Sequence, residues 1–415
     1  MKSQITVHET LDVVLDAKCL LESSEGSAEL QIRNVSDQTT MWGIVLSAKH
    51  DPEVSNFQGG EISHIAANDS HKTNYNFDVQ PKLQVFERID TGFNQANPDI
   101  TDTSHFYLVV ENRQRVLYEI ELRNDYTFEL NDITVEKHFP SCKNDISVLQ
   151  PYPGSTTVET GPLRWDLPTL PPNSSAILRI VADLTPVEAT PVPTGEIIVT
   201  CNSNKLFTTF DPDIDAECDA VDLEVDVKEA PEPDVWNILA SFTNNSEFAV
   251  MIDKVTVEIN GNSVIDVLQV NKVAETALGH SAWDQATQVH SHDYPQVAKT
   301  FKYEVLYDVI PSSDIKIKKN NDFMPVVKIS SQKAFLPDTV NTYTRTPLKF
   351  TVVVKNEGSA EIGVIEMVET IPPFLDVKSV SSTLNNQSLS PETSWDGEVE
   401  GEELDISTDR TLNIS

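Results

Sequence analysis

The chain is poor in basic residues: 30 Lys and Arg stand against 65 Asp and Glu among 415 residues, and the formal net charge is −35. A surface of that sign repels phosphate backbones and anionic lipid headgroups. We therefore expect no nucleic acid among the partners. The same excess of carboxylates favours solubility and the attraction of cations.

Glycine is scarce, at 14 residues, and the 24 prolines are an ordinary share of the chain, which excludes a collagen-like or low-complexity chain. No window approaches 18 consecutive apolar residues, so the sequence predicts no membrane span. The N-terminal segment MKSQITVHETLDVVLDAKCLL mixes charges with short apolar runs and lacks the apolar core and cleavage site of a signal peptide. Taken alone, the sequence favours a cytoplasmic location.

Cysteine is limited to four residues that share no position in the repeats described below: Cys19, Cys142, Cys201 and Cys218. A disulfide framework would recur with the repeat, so free thiols in a reducing compartment are expected. A bond between Cys201 and Cys218, which are close in sequence, stays open as an alternative.

Catalytic motifs are missing. There is no glycine-rich phosphate loop, G-x-S-x-G elbow, H-E-x-x-H or C-x-x-C in the sequence. We expect no enzymatic activity. Sustained helical periodicity is missing as well, and 266–277 is the one marginal helix candidate.

What the chain does contain is a repeated β pattern. It is clearest in 115–184, where apolar residues alternate with polar ones: Val116, Tyr118, Ile120 and Leu122. Four segments of this kind end at an asparagine with apolar residues two and four positions before it, namely Asn34, Asn124, Asn244 and Asn356. An asparagine side chain bonds its own backbone in turns, so each is interpreted as the end of a strand.

Three of the four segments also carry a Trp-Asp pair. Trp165, Trp283 and Trp395 follow their asparagines by 41, 39 and 39 residues. This regular spacing predicts equivalent positions in the core of each repeat. Exposed recognition aromatics are the alternative.

Repeats of about a hundred residues indicate independent domains rather than a solenoid. Short strands every eight to twelve residues, separated by turn signals, predict immunoglobulin-like β-sandwiches. The predicted fold class is all-β, with tandem immunoglobulin-like sandwiches as beads on a string. Their predicted limits are 1–88, 103–210, 220–319, which is divergent, and 323–415.

The fourth sandwich is expected to be incomplete. Only 20 residues follow Trp395, whereas Phe210, the end of the second repeat, lies 45 residues beyond Trp165. We therefore expect the chain to be a fragment of a longer protein, with Leu412 and Ile414 at or near an open sheet edge.

The order of these features, a strand ending in Asn124, a strand ending in Pro140, a tryptophan, and then L-x-x-L-x-P-x-x-S before an apolar strand, resembles a known family. It is the conserved-repeat domain of unknown function that occurs in tandem in archaeal and bacterial proteins. Segments 115–184 and 347–395 carry the resemblance. It implies immunoglobulin-like sandwiches strung along cell-surface proteins as stalks or adhesins, and it implies no catalytic residue.

Two groups of residues are candidate metal ligands. Carboxylates occupy every second position at Asp211, Asp213, Asp215, Glu217 and Asp219. They share one face if the segment is extended, and calcium takes six to eight oxygen ligands. The alternative is a solvated acidic linker. His290 and His292 have the spacing that places two imidazoles on one strand face, as a transition metal needs, and the alternative is a solvated loop.

These observations favour a non-enzymatic, multi-domain binding, scaffolding or stalk protein. Its expected partners are other proteins or cell-surface components, and no cofactor is expected apart from calcium. The competing hypothesis is an enzyme subunit or metal-binding protein with its site in the divergent third domain.

Overall fold

The computed structural model describes residues 1–92, 106–158, 161–260, 265–268, 275–339, 345–363, 365, 367–372, 375, 377–385, 387–389, 393–395 and 410–414. These residues form β-strands and no helix, which confirms the all-β prediction. Within them there is accordingly no helix that could cross a membrane. The helix candidate 266–277 is wrong, because its described residues belong to strands.

The strands are numbered along the chain. The first half contains β1 (Ser3–Leu15), β2 (Leu21–Arg33), β3 (Met41–Lys49), β4 (Val54–Ser55), β5 (Gly60–Ile65), β6 (Ser70–Phe77), β7 (Leu83–Asp90), β8 (Leu108–Val109), β9 (Gln114–Asn124), β10 (Leu130–Lys137), β11 (Lys143–Leu149), β12 (Ser155–Val158), β13 (Leu163–Leu170), β14 (Ser174–Leu184), β15 (Val192–Pro193), β16 (Ile197–Ser203) and β17 (Asp211–Cys218).

The second half contains β18 (Val221–Glu229), β19 (Val235–Asn244), β20 (Val250–Asn260), β21 (Ile265–Leu268), β22 (Glu275–Ala277), β23 (Ser281–His290), β24 (Gln296–Val305), β25 (Tyr307–Lys319), β26 (Phe323–Met324), β27 (Val326–Val327), β28 (Ile329–Leu336), β29 (Lys349–Asn356), β30 (Met367–Ile371), β31 (Ser382–Leu384), β32 (Gln387–Leu389), β33 (Thr393–Trp395) and β34 (Arg410–Ile414).

The chain divides into two compact units. The first comprises 1–104, 115–184 and 193–323, and the second comprises 105–114, 185–192 and 324–415. The range predicted for the fourth domain, 323–415, falls in the second unit from residue 324 onward. Two short segments predicted to belong to the second sandwich, 105–114 and 185–192, also lie in that unit.

A nine-stranded sheet runs through the first unit in the order β12-β13-β10-β16-β25-β1-β2-β6-β4. Its unexpected member is β25, which pairs parallel to β1 and antiparallel to β16. It falls in the range predicted for the third sandwich, yet it joins strands predicted for the first and the second. This shared sheet departs from the prediction of separate beads.

The first sheet pair consists of the β1-β2-β6-β4 part of the large sheet and a three-stranded sheet, β17-β3-β5. Their inward residues are fully buried, among them Ile5, Leu30 and Ile32 of the large sheet and Ile44 of β3. The alternation of apolar and polar residues along β1 and β17 produces this one-sided burial.

The second sheet pair consists of the β12-β13-β10-β16-β25 part of the large sheet and a four-stranded sheet, β11-β14-β9-β7. The segment of β7, predicted to end the first sandwich, instead pairs with β9 from Leu83 opposite Asn124 to Asp90 opposite Leu117. On the inward face of β7, Leu83, Val85 and Ile89 are apolar and buried and complete the core of the second sheet pair, whereas Glu87 brings a charge onto the same face.

The third sheet pair consists of β18-β19-β23 and of β20 with β21, β22 and β24. Phe242 on β19 meets Phe301 on β24 edge to face, with 5.8 Å between ring centroids. Aromatic contacts of this geometry link the two layers of the core.

In the second unit β28 pairs with β29, β8 pairs with β27, β31 pairs with β32, and a three-stranded sheet has the order β30-β34-β33. Leu412 and Ile414 lie on β34, between two other strands. The prediction that they lie at an open edge is therefore wrong. Val352 and Val354 on β29 are half-buried, whereas their counterparts in the other repeats are fully buried.

All four cysteines are free thiols, which agrees with the sequence prediction and disagrees with the Cys201–Cys218 alternative. Cys201 on β16 and Cys218 on β17 are buried. Burial raises the pKa of both thiols, that of Cys218 to about 11. Neither is a reactive thiolate near neutral pH.

Candidate functional site

The strand-ending asparagines occupy one recurring arrangement, which we call the asparagine clamp. In each of the first three repeats the side-chain amide donates to the carbonyl four or five residues later: Asn34 to Thr39, Asn124 to Phe128 and Asn244 to Phe248, at 2.8 to 3.0 Å. It also donates to a carbonyl of a more distant turn: Ile65, Leu170 and Leu278, respectively.

The asparagine side-chain oxygen accepts the backbone N–H two residues on, that of Ser36, Tyr126 or Ser246. Three bonds from one buried amide close the turn and anchor it to the layer opposite. The interpretation of these asparagines as turn residues is confirmed. Asn356 makes the two local bonds, to Ala360 O and from Gly358 N, but it is exposed.

The tryptophans are not equivalent, although their spacing predicts that they are. Trp165 lies on β13 before the turn at Leu170, is fully buried and donates to Pro153 O at 2.7 Å. Trp283 lies on β23 after the corresponding turn at Leu278 and stacks on Phe242 at 5.4 Å while half-buried. The similar spacings of 41 and 39 residues arise because loop lengths differ between the two repeats. Trp395 belongs to β33, and Asp396 lies outside the described residues.

The acidic segment is a strand and not a linker. As β17 it pairs with β3, from Asp211 opposite Lys49 to Cys218 opposite Met41. The carboxylates of Asp211, Asp213, Asp215 and Glu217 share one exposed face, as predicted, whereas Asp219 lies in the turn beyond the end of β17. The alternate residues Pro212, Ile214, Ala216 and Cys218 are buried. Successive carboxylates on such a face are about 7 Å apart, so one calcium ion contacts no more than two neighbours. In the described part of the chain no group of three or more His, Cys, Asp or Glu side chains is arranged to hold a metal ion.

Asp215 has acidic neighbours on other strands. Burial and the nearby carboxylates of Asp215 and Asp253 raise the pKa of Glu304 on β24. Lys302 offsets this repulsion, with Nζ 3.1 Å from Asp253 Oδ2 and 3.6 Å from Glu304 Oε1. The pKa of Lys302 is raised by its hydrogen bond to Asp253. This lysine provides the positive charge for the cluster.

The two candidate histidines do not share a strand face. His290 is the last residue of β23, and His292 lies in the turn beyond it. Both are exposed, and His292 Nδ1 lies 3.1 Å from Asp234 Oδ1. The strand ends too early to place the two imidazoles side by side.

Three buried charges, which no sequence pattern marks, lie in the second sheet pair. Glu87 on β7 forms ion pairs with two lysines. Nζ of Lys137 on β10 lies 2.6 Å from its Oε1, and Nζ of Lys319 on β25 lies 2.7 Å from its Oε2. Lys137 also donates to the carbonyls of Thr194 and Gly195 at 2.9 and 2.7 Å. We call Glu87, Lys137 and Lys319 the buried triad.

The buried triad holds two positive charges around one negative charge. Burial lowers the pKa of Lys137, and the attraction of Glu87 opposes the shift. The Lys137 ammonium also lies 5.0 Å from the centre of the Tyr118 ring, which is a favourable cation–π geometry. The triad joins both layers of the second sheet pair to the strand that the first sheet pair shares.

A second buried carboxylate, Glu9 on β1, holds the segment that follows β16. Its Oε1 accepts from Tyr75 Oη at 2.8 Å and from Thr208 Oγ1, and its Oε2 accepts the N–H groups of Phe207 and Thr208. Four donors satisfy this charge without a counter-ion. The ring of Phe210, two residues on, stacks on Tyr75 with 4.3 Å between centroids.

Strand β18 lies at the edge of the third sheet pair, next to β19 alone. Its outward side chains include the exposed acids Asp222, Glu224 and Asp226. Its inward valines, Val225 and Val227, are only half-buried, whereas their partners on β19, Ala240 and Ile238, are almost fully buried.

No protein-family model and no curated protein matches the chain. Among solved structures, the yeast delta-COP-I mu-homology domain complexed with a Dsl1 WxWxV peptide is similar at a TM-score of 0.30 and 10% identity, over 77% of this chain and 96% of that one. The Danio rerio Fcho1 mu homology domain with a bound Eps15 peptide has a TM-score of 0.31 and 7% identity, with the same coverage.

The pilus backbone RrgB from Streptococcus pneumoniae is similar at a TM-score of 0.22 and 8% identity, over 60% of this chain and 61% of that one. Likenesses of this degree carry no argument about the fold or the function of the present chain.

Proposed function

We propose that the chain is a non-enzymatic protein-binding scaffold, in which the first unit holds several β-surfaces at fixed mutual positions. The observation that carries the proposal is the insertion of β25 between β1 and β16. A strand shared by two sheet pairs prevents the hinge motion that separate domains on a linker have.

Buried polar contacts support the same proposal. The buried triad ties β7 and β10 to β25, and Glu9 ties β1 to the segment after β16. Such groups keep their hydrogen bonds only in one relative arrangement of the strands. Conformational uniqueness of this kind favours a scaffold over a flexible tether.

The resemblance to tandem repeat domains of archaeal and bacterial proteins extends the proposal. It implies immunoglobulin-like repeats and a stalk or adhesin role at the cell surface. The partner is then another protein or a cell-surface component.

The test is cross-linking of the full-length chain in its own cells, followed by mass spectrometry of the cross-linked peptides. We expect the same protein partner to be cross-linked in replicate experiments, at residues of the described β-surfaces. Impermeant and permeant cross-linkers separate a surface partner from an intracellular one.

Other results of these experiments would contradict the scaffold proposal. The absence of any cross-linked protein would reject the scaffold. About one metal ion per chain, lost in His290→Ala/His292→Ala, would then favour the metal-binding alternative.

A further inference from the structure

The hydrogen-bond register of β18 shows which of its backbone groups face away from the sheet. At its two ends Asn245 N donates to Ala220 O at 2.7 Å, and Ala230 N donates to Val235 O at 2.8 Å. Between them the antiparallel pairs keep one register without a bulge. In such a ladder only every second pair of opposite residues is hydrogen-bonded. The backbone N–H and C=O groups of even-numbered residues therefore bond to β19, and those of odd-numbered residues point to the open edge.

Leu223 confirms this register, because its outward groups are already occupied. Its N–H donates to Asp222 Oδ1 at 2.7 Å, and its carbonyl accepts from Lys299 Nζ. Val225 and Val227 are the next odd-numbered residues. In the described chain no strand pairs with their outward N–H and C=O groups.

The side chains around this open segment have a two-sided pattern. Val225 and Val227 turn inward and keep part of their apolar surface in water, whereas Glu224 and Asp226 turn outward and are exposed. An added strand would cover the valines with its own inward residues and bring its outward residues opposite the carboxylates.

We infer that the β18 edge at Val225–Val227 binds an extended peptide segment in which apolar and basic residues alternate. The peptide adds as a fourth strand next to β18, with backbone hydrogen bonds to Val225 and Val227. Its basic side chains face Glu224 and Asp226, and at Asp226 they replace Lys228, whose ammonium donates to that carboxylate in the free chain. This inference rests on the proposed function and names the chemistry of one partner.

Charge decides between this occupant and a second copy of the chain. In the antiparallel register centred on Val225, pairing β18 with another β18 would place the carboxylate of Glu224 opposite that of Asp226, and like charges directly opposite each other destabilise a strand pair. The net charge of −35 adds repulsion between copies. A basic partner strand meets neither obstacle.

The experiment uses the full chain and a fluorescent peptide of nine residues with alternating valine and lysine and blocked ends. Binding is measured by fluorescence anisotropy. Two control peptides have the same composition: one has its valines and lysines in separate blocks, and one is N-methylated at every second residue. We expect the alternating peptide to bind at least about fivefold more tightly than either control. The block peptide cannot place apolar residues on one face and basic residues on the other, and the N-methylated peptide loses backbone hydrogen-bond donors.

Matched substitutions locate the site. Val225→Pro removes an outward N–H and leaves the bonds to β19 in place, because proline is tolerated at sheet edges. We expect it to weaken binding about fivefold. Glu224→Gln/Asp226→Asn keeps the shape of both side chains and removes their charges. This double variant should bind the peptide more weakly, and its affinity should depend less on salt. Asp308→Asn, an exposed acid on β25, should change neither.

Hydrogen exchange provides a measurement that needs no variant. The amides of Val225 and Val227 should exchange fast in the free chain and slowly with the alternating peptide, whereas those of Glu224 and Asp226 should be slow in both. Equal affinity for the block peptide, or protection elsewhere only, would overturn the inference. It would leave the scaffold proposal standing, because that proposal fails only when cross-linking finds no protein partner at all.

Discussion

Lys319 donates to Glu87 across 232 residues of sequence, with Nζ 2.7 Å from Oε2 and both side chains buried. The pair connects the strand shared by the first two sheet pairs to the outer layer of the second. Lys137 approaches the other oxygen of the same carboxylate. One side chain therefore holds three strands, and its removal gives the most direct test of the buried triad.

We predict that Glu87→Gln lowers the free energy of unfolding by about 3–5 kcal/mol, because it leaves two buried ammonium groups without their counter-charge. Urea unfolding monitored by tryptophan fluorescence measures the change. The matched control is Glu29→Gln, which breaks the exposed ion pair with Lys72. It should cost less than about 1 kcal/mol. Equal losses in the two variants would show that the triad has no special role.

A pH dependence follows from Lys137, whose pKa burial lowers below the ordinary 10.5. Between the folded-state pKa and 10.5 the unfolded chain binds more protons than the folded chain. The contribution of this group to stability therefore rises with pH across that window. Lys137→Met removes the contribution, so the stability difference between wild type and variant should change as the pH rises toward 10.5. Urea midpoints at each pH test this, and parallel curves would contradict it.

The buried and the exposed asparagine clamps should differ in how much they contribute to the free energy of unfolding. Asn124→Ala leaves several buried carbonyls and one N–H without their partner, and we expect a loss of about 2–3 kcal/mol. Asn356→Ala removes two bonds at an exposed turn, and the loss should be under about 1 kcal/mol. Hydrogen exchange of the turn amides at Tyr126 and Gly358 measures each opening locally. A larger loss for Asn356→Ala than for Asn124→Ala would show that burial does not determine how much a clamp stabilises the fold.

Calcium binding by β17 stays a prediction, and it has a defined test. If the carboxylates of Asp213 and Asp215 bind the ion, calcium at tenfold its dissociation constant should stabilise the chain by about 1.4 kcal/mol. Asp213→Asn/Asp215→Asn should abolish the gain. Differential scanning calorimetry with and without calcium measures it, and magnesium is the control for simple charge screening. An unchanged melting temperature up to millimolar calcium would reject the site.

Local chemistry made much of this structure predictable. The alternation in 115–184 predicts β9, and the asparagine at each strand end predicts a turn closed by its own side chain, because both depend on neighbours within a few residues. The alternate carboxylates from Asp211 to Glu217 likewise predict one exposed face, which β17 has.

Features that depend on distant partners were not predictable. Nothing near Tyr307 in sequence marks β25 as the neighbour of β1, because the choice among apolar strands is made by the packing of the whole unit. Trp165 and Trp283 follow their asparagines at similar distances along the sequence, but they lie on strands that are not equivalent, because the loops before them differ in length. Glu87 and Lys137 look like ordinary polar residues of alternating strands until the two layers meet.

The position of β25 has a consequence for synthesis of the protein on the ribosome. Strand β1 is made well before its parallel neighbour β25, which ends at Lys319. At 5–20 residues per second, roughly 15–60 s separate the two. During that interval the nascent chain carries an unpaired strand edge, and the first two sheet pairs cannot complete their common sheet. Folding of this protein therefore cannot finish domain by domain in the order of translation, because the common sheet is completed only after β25 has been made.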